Sequence, residues 1–216
     1  MKRIFTCLLV GALCLSLAAC HAASKEKPDL SIHNKESDAA LTFGMSKEEV
    51  EELLGSGRLE MPLFKKDAVT NEEPYATVRY GTEADEICVI YDNNLTVAGL
   101  TFRAYFTSEV DLDYVSDWRL PNEITCGSSM EEVSTHYGEQ EDSGPEVLGG
   151  EFYEDPANQV TQLFWYYFDA SGQVEEPQED SSHLVFMANG QNSKIYAIAL
   201  YAMDPQTLSY NAPLSQ

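Results

Sequence analysis

The sequence predicts an α+β protein of two tandem similar units, each a short helical segment packed on an antiparallel β-sheet. Three observations carry that prediction. A helix-start motif occurs twice, 83 residues apart. Each copy is followed by three runs rich in β-branched and aromatic residues. Hydrophobic residues make up 44% of the 216-residue chain and aromatics 11%, enough for a packed core.

The chain opens on residues that do not belong to that fold. Lys2 and Arg3 precede a mostly apolar run from Ile4 to Ala19, shorter than the ~20 residues a spanning helix needs. A charged start and a small-residue end are the marks of a secretory signal over 1–19. The end, Leu17-Ala18-Ala19-Cys20, resembles the lipobox of bacterial lipoproteins. That resemblance implies cleavage before Cys20 and lipidation of Cys20. Residues 20–40 are polar, with Lys25, Glu26, Lys27, Pro28, Asp29, Lys35, Glu36 and Asp38, and read as a disordered tether.

The first unit spans 41–110 and the second 111–216, with its helix motif from 124. Leu41 to Gly55 aligns without gaps to Ile124 to Gly138, and seven of fifteen positions are identical: Thr42, Gly44, Ser46, Glu48, Glu49, Val50 and Gly55. The shared residues define a short helix. Ser46 with Glu49, and Ser129 with Glu132, each form the Ser-x-x-Glu capping box. The glutamates of the first turn favour the helix dipole, and Gly55 and Gly138 supply left-handed stops. Val50, Leu53 and Leu54, like Val133 and Tyr137, fall on one face. Met45 and Val50 have the spacing of a hydrophobic staple. A helix this short needs a surface to pack on.

Strands supply it. Runs 77–80, 86–91 and 97–106 read as strands in the first unit, with Asp92-Asn93-Asn94 as a turn. Runs 160–168, 183–188 and 194–203 answer them, with Asn189-Gly190 as the turn. The matching offsets grow from 83 to 86 and then to 98, so the second unit has gained residues, most of them in an acidic hairpin over 169–182.

A Gly-Met-Ser-x-x-Glu-Val start, a Leu-Gly end and a following Tyr-Gly-bearing strand, present over Leu41 to about Met203, resemble a known group. It is the tandem helix-plus-sheet repeat of the β-lactamase-inhibitor-protein fold and of outer-membrane-assembly lipoproteins of the SmpA/OmlA type. The resemblance implies a binding protein of the envelope or, alternatively, an inhibitor of an extracytoplasmic hydrolase.

Charge narrows the partners. With 13 Lys+Arg against 36 Asp+Glu the net charge is −23. Loss of Lys2 and Arg3 with the signal leaves 11 basic residues and −25. Nucleic acid and polybasic lipid contact are disfavoured, because both need clustered Lys and Arg. The lipid on Cys20 is then the membrane anchor, on the extracytoplasmic side of a bacterial cell membrane.

No chemistry rises above this background. His21 and His33 lie in the tether, and His136 and His183 lack partners at metal-ligand spacing. Asp111, Asp113 and Asp117 resemble a calcium loop without its glycine or its terminal glutamate; a weak cation-binding surface is a third reading of the acidity. No nucleophile elbow or phosphate loop is present. The sequence therefore points to no enzyme, no cofactor and no metal centre. Cys88 and Cys126 are the two cysteines left after processing; either a disulfide or two separately buried thiols fits an exported chain. Alternation along the strands puts Arg79, Arg103, Tyr105, Trp165, Tyr167 and Tyr201 on the sheet face away from the helices. Arg, Tyr and Trp are the types enriched in interface hot spots, so these six are candidates for contact with an envelope protein. Covered by loops or by merging sheets, the same face is simply core.

Overall fold

Alternating residues in long runs dictate a two-faced sheet, and the computed structural model forms one, describing residues 29–61, 76–92, 94–105, 114–141, 161–178 and 180–203. The first half contributes β3 (Arg58–Met61), β4 (Ala76–Tyr80), β5 (Ile87–Tyr91) and β6 (Val97–Arg103). The second contributes β8 (Thr161–Asp169), β9 (Gly172–Val174), β10 (Ser182–Asn189) and β11 (Ile195–Tyr201). All eight join one antiparallel sheet in the order β3-β4-β5-β6-β11-β10-β8-β9. The protein is thus α+β with mostly antiparallel strands, but separate sheets are corrected to a single one. The physical reason lies at the seam. β6 and β11 would otherwise each present an open ladder of N–H and C=O groups, and their pairing, Phe102 with Ile198, Thr101 with Ala199 and Leu100 with Leu200, satisfies both.

Two helices, α1 (Lys47–Leu54) and α2 (Met130–Tyr137), lie on one face of this sheet. Each begins with the complete capping box expected of it. Ser46 N–H donates to Glu49 Oε2 at 2.7 Å and Glu49 N–H to Ser46 Oγ at 3.2 Å; Ser129 and Glu132 repeat the exchange at 2.6 and 3.2 Å. Each ends on a glycine with positive φ, Gly55 at 79° and Gly138 at 88°. Their ψ values, −171° and 168°, are extended rather than left-handed helical, a region that only glycine occupies without strain. Val50 and Val133, both fully buried, are the central contacts of the two helices. Met45 packs against this core but spends its sulfur as an acceptor for Thr42 N–H at 3.3 Å.

The helix motifs are tied to the sheet by matching backbone bonds. Gly44 N–H donates to Val97 O, Val97 N–H to Met45 O and Lys47 N–H to Leu95 O; Gly127, Ile195 and Met130 N–H donate to Ile195, Ser128 and Ser193 O in the same pattern. The strands match too. Both hairpins carry a bulge at corresponding places, beside Ala98 and beside Tyr196. Ala104 N–H donates to Tyr196 O and Ala202 N–H to Ala98 O. The Asn189-Gly190 turn is longer than a two-residue hairpin: Asn189 and Ser193 close it, with Ser193 at φ 54°, as Leu95 is at 58° in the first hairpin.

Residues 29–40 correct the expected tether, because they are folded. β1 (Ser31–Asn34) pairs with β2 (Ala40–Thr42) and with β7 (Trp118–Arg119) in a second, three-stranded sheet. Leu30, Ile32, Ala39 and Leu41 are buried in the core shared with the helices. Four apolar residues among many polar ones suffice because Asn34 Oδ1 accepts the N–H groups of Glu36 and Ser37, which closes the hairpin. Residues 1–19, read from the sequence as a secretory signal, Cys20 and residues 21–28 lie outside the described residues, as do Asp111 and Asp113. Asp117 pairs with Lys35 at 3.2 Å. The acidic hairpin is only partly a loop: residues 172–174 add β9 to the sheet edge, while Glu175, Glu176 and Asp180 are exposed.

Candidate functional site

The side of the sheet away from the helices is ordered by strand register into transverse rows. One runs Arg58, Arg79, Cys88, Thr101, Ala199, Val185, Trp165. The next runs Thr77, Ile90, Gly99, Tyr201, His183, Tyr167, Val174. A third joins Arg103, Ala197, Met187 and Leu163. The expected residues therefore do share a face, but they do not form one patch. Arg79 and Trp165 are five strand intervals apart, about 24 Å. Between them Cys88, Thr101, Ala199 and Val185 are all buried.

At the first-half end the charges converge. Arg79 Nη1 donates to Glu86 Oε1 at 2.8 Å, with side chains only 11% and 21% exposed. Arg58 Nη2 and Arg103 Nη2 approach the same carboxylate at 3.8 and 3.9 Å, with their side chains 67% and 51% exposed. Tyr105, two residues beyond Arg103, is one of the two exposed large hydrophobics among the described residues. Its backbone is held by exchange with Val115. Arg58 and Glu86 did not emerge from the sequence. β3 carries no strong strand signal, and the role of Glu86 depends on the β4–β5 register. The signal for Glu86 was present: two residues before Cys88, it falls on the Arg79 face by the period-two rule.

At the other end the groups are aromatic and more enclosed. Trp165 and Tyr167 stack at 6.5 Å with 20° between their planes, and His183 meets them edge-on at 6.1 and 5.0 Å. Tyr201 is buried, which pushes its hydroxyl up to about 12. It packs against Gly99, where an added Cβ would lie 3.2 Å from its ring. Of the six residues read from the sequence, Arg103 and Tyr105 are exposed, Arg79, Trp165 and Tyr167 half-buried, and Tyr201 buried.

Cys88 and Cys126 are both buried. A disulfide between them is ruled out by the sheet itself: Cys88 points to the outer face beside Arg79 and Thr101, whereas Cys126 belongs to the helix-side core. Cys126 Sγ donates to Tyr196 O at 3.3 Å, and burial pushes its thiol up. Beside it an open depression of about 530 Å³ is lined by Tyr114, Thr125, Gly127, Glu132 and Lys194. Lys194 Nζ stands 5.8 Å from the Tyr114 ring centre, and Tyr114 Oη accepts from the amides of Asn189 and Asn192. These contacts bind the turn over 189–194 to Tyr114.

Among the described residues no three His, Cys, Asp or Glu side chains are grouped to hold a metal ion, and no helix is long and apolar enough to cross a membrane. Comparison with protein-family models, with curated proteins and with solved structures gives no match.

Proposed function

We propose that this chain is a lipid-anchored protein of the bacterial cell membrane, held on the extracytoplasmic side through Cys20. It acts there as a protein-binding module of the envelope and not as an enzyme. It is built from two copies of one unit. The duplication is supported by the matched helix anchors and bulges, and by the seam itself: Thr101 pairs with Ala199, its own counterpart 98 residues on. A pseudo-twofold axis through that pair relates the halves.

One observation carries the binding reading. Positions facing the helices keep their character between copies; on the outer face the buried centre does so too, with Cys88 answering Val185 and Ile90 answering Met187, and the change is confined to two flanking positions. Val78 answers Phe164, Tyr80 answers Tyr166, Ile87 answers Leu184 and Phe102 answers Leu200, all apolar or aromatic. On the outer face Arg79 answers Trp165 and Arg103 answers Tyr201. A duplicated scaffold that holds its core while changing the margins of one face offers those margins as a platform for a particular partner.

The test is site-specific photo-crosslinking in cells, with the crosslinker at Tyr105 or Trp165 and, as control, at Glu52 on α1. A defined protein adduct from the outer-face positions, absent at Glu52, is the expected result. No adduct from either outer-face position would overturn the reading. The anchor is tested separately: Cys20→Ser should release the protein from the membrane fraction and abolish lipid labelling.

A further inference from the structure

The basic end of the outer face has a chemistry of its own, and it deepens the binding reading on which it rests. Three of the 13 cationic residues of a chain with 36 acids converge on one carboxylate. Two tiers are visible. Arg79 and Glu86 form a half-buried pair at hydrogen-bond distance, which sets a rigid base. Arg58 and Arg103 are held near Glu86 by charge but beyond hydrogen-bond length, with most of their side-chain surface in solvent. Arg58 and Arg79 make further contacts of their own; the accessible edge of the cluster is formed by Arg103 and the exposed part of Arg58, with Tyr105 two residues beyond Arg103.

We infer that this edge, Arg103 with Arg58 above the Arg79–Glu86 base and Tyr105 beside it, is a receptor for a carboxylate-bearing segment of a protein partner. Glu86 itself demonstrates the chemistry: the cluster already gathers its guanidinium groups around a carboxylate. The planar fork of Arg suits bidentate pairing with a second such group. Tyr105 supplies the adjacent apolar contact that such a segment needs. Charge complementarity selects the occupant. A short acidic segment meets the local cationic edge at contact distance, whereas a whole anionic bilayer meets the field of a chain carrying −23.

The experiment titrates a fluorescent deca-glutamate peptide into the full mature chain in neutral detergent at low salt. The expected result is saturable binding that weakens about tenfold in R58A/R103A, less in R58K/R103K, and fades as salt is raised. Both residues are exposed, so the variants should melt with the parent protein, and the melt is recorded alongside. Equal peptide binding by parent and R58A/R103A overturns the inference, as does the absence of binding by either. Arg-dependent pelleting with phosphatidylglycerol vesicles, without peptide binding, also overturns it and assigns the edge to lipid. In each of these cases a surviving Tyr105 crosslink to an envelope protein keeps the module reading intact, so the two failures are distinguishable.

Discussion

At the residue scale, stability is concentrated in a few side chains whose partners are fixed by the backbone. Ser46 and Ser129 each satisfy one N–H at a helix start, so Ser46→Ala and Ser129→Ala should each cost about 1 kcal/mol. Denaturant melts of the single variants measure this; the double variant should cost the sum, because the two caps share no partner. Glu49 completes the first box. The N–H of Ser46 holds its carboxyl below the usual carboxylate range. A depressed carboxyl contributes in the ionised form, so its share of α1 stability is present at neutral pH and lost as pH falls through the lowered value.

Gly55 and Gly138 invite a different test. A Cβ added at either meets nothing within 4 Å, so any penalty is one of backbone conformation alone. Gly138→Ala should cost about 1–3 kcal/mol with no cavity or clash to blame. A loss indistinguishable from zero in a chemical melt would contradict the positive φ at that position.

The elements divide by how much they depend on one another. α1 and α2 are eight residues each, too short to persist alone, and each is pinned to a strand by three backbone bonds. The β6–β11 seam holds the two halves together through fully buried Leu100, Leu200, Phe102 and Ile198. Leu200→Ala should therefore destabilise the whole protein by about 2–5 kcal/mol, in a single transition rather than two. Two separate melting steps would mean that the halves unfold independently and that the seam does not couple them.

The same scale shows what the sequence disclosed and what it withheld. Both helices, their caps and six principal strands were legible, because capping boxes and β-branched runs are local signals. β1 and β2 were not, since Ser31–Asn34 and Ala40–Thr42 carry little hydrophobic alternation and owe their burial to β7 and the core beneath. Nor were the short β3 and β9, which exist as edges on strands already formed. At the site, period two assigned Arg79, Arg103, Trp165 and Tyr201 to one face. It did not reveal that Ala199 and Val185 would divide that face into a basic and an aromatic end.

For the whole molecule, buried hydroxyls set the response to alkali. Burial pushes Tyr137, Tyr166 and Tyr201 each up to about 12 from an ordinary value of 10. Their neutral forms are the ones the fold accepts. The stability they lend is complete below pH 10 and is lost as pH rises through about 12. Tyrosinate absorbance from these three should thus appear only well above pH 10, together with loss of the sheet signal. A single smooth titration around 10 with the fold intact would contradict this burial.

The two halves together determine more than either does alone. Local sequence by itself specified the repeated capped helices, the strand-forming runs and the composition of an acidic, core-forming chain, because these depend on neighbours a few residues apart. Only the tertiary structure decided that the two sets of strands form one sheet, that Cys88 and Cys126 lie on opposite sides of it, and that three arginines from β3, β4 and β6 meet at Glu86. Each of those outcomes is set by the pairing of strands far apart in the chain. Such register is fixed by burying one whole face and closing every internal ladder, conditions that no single segment can express.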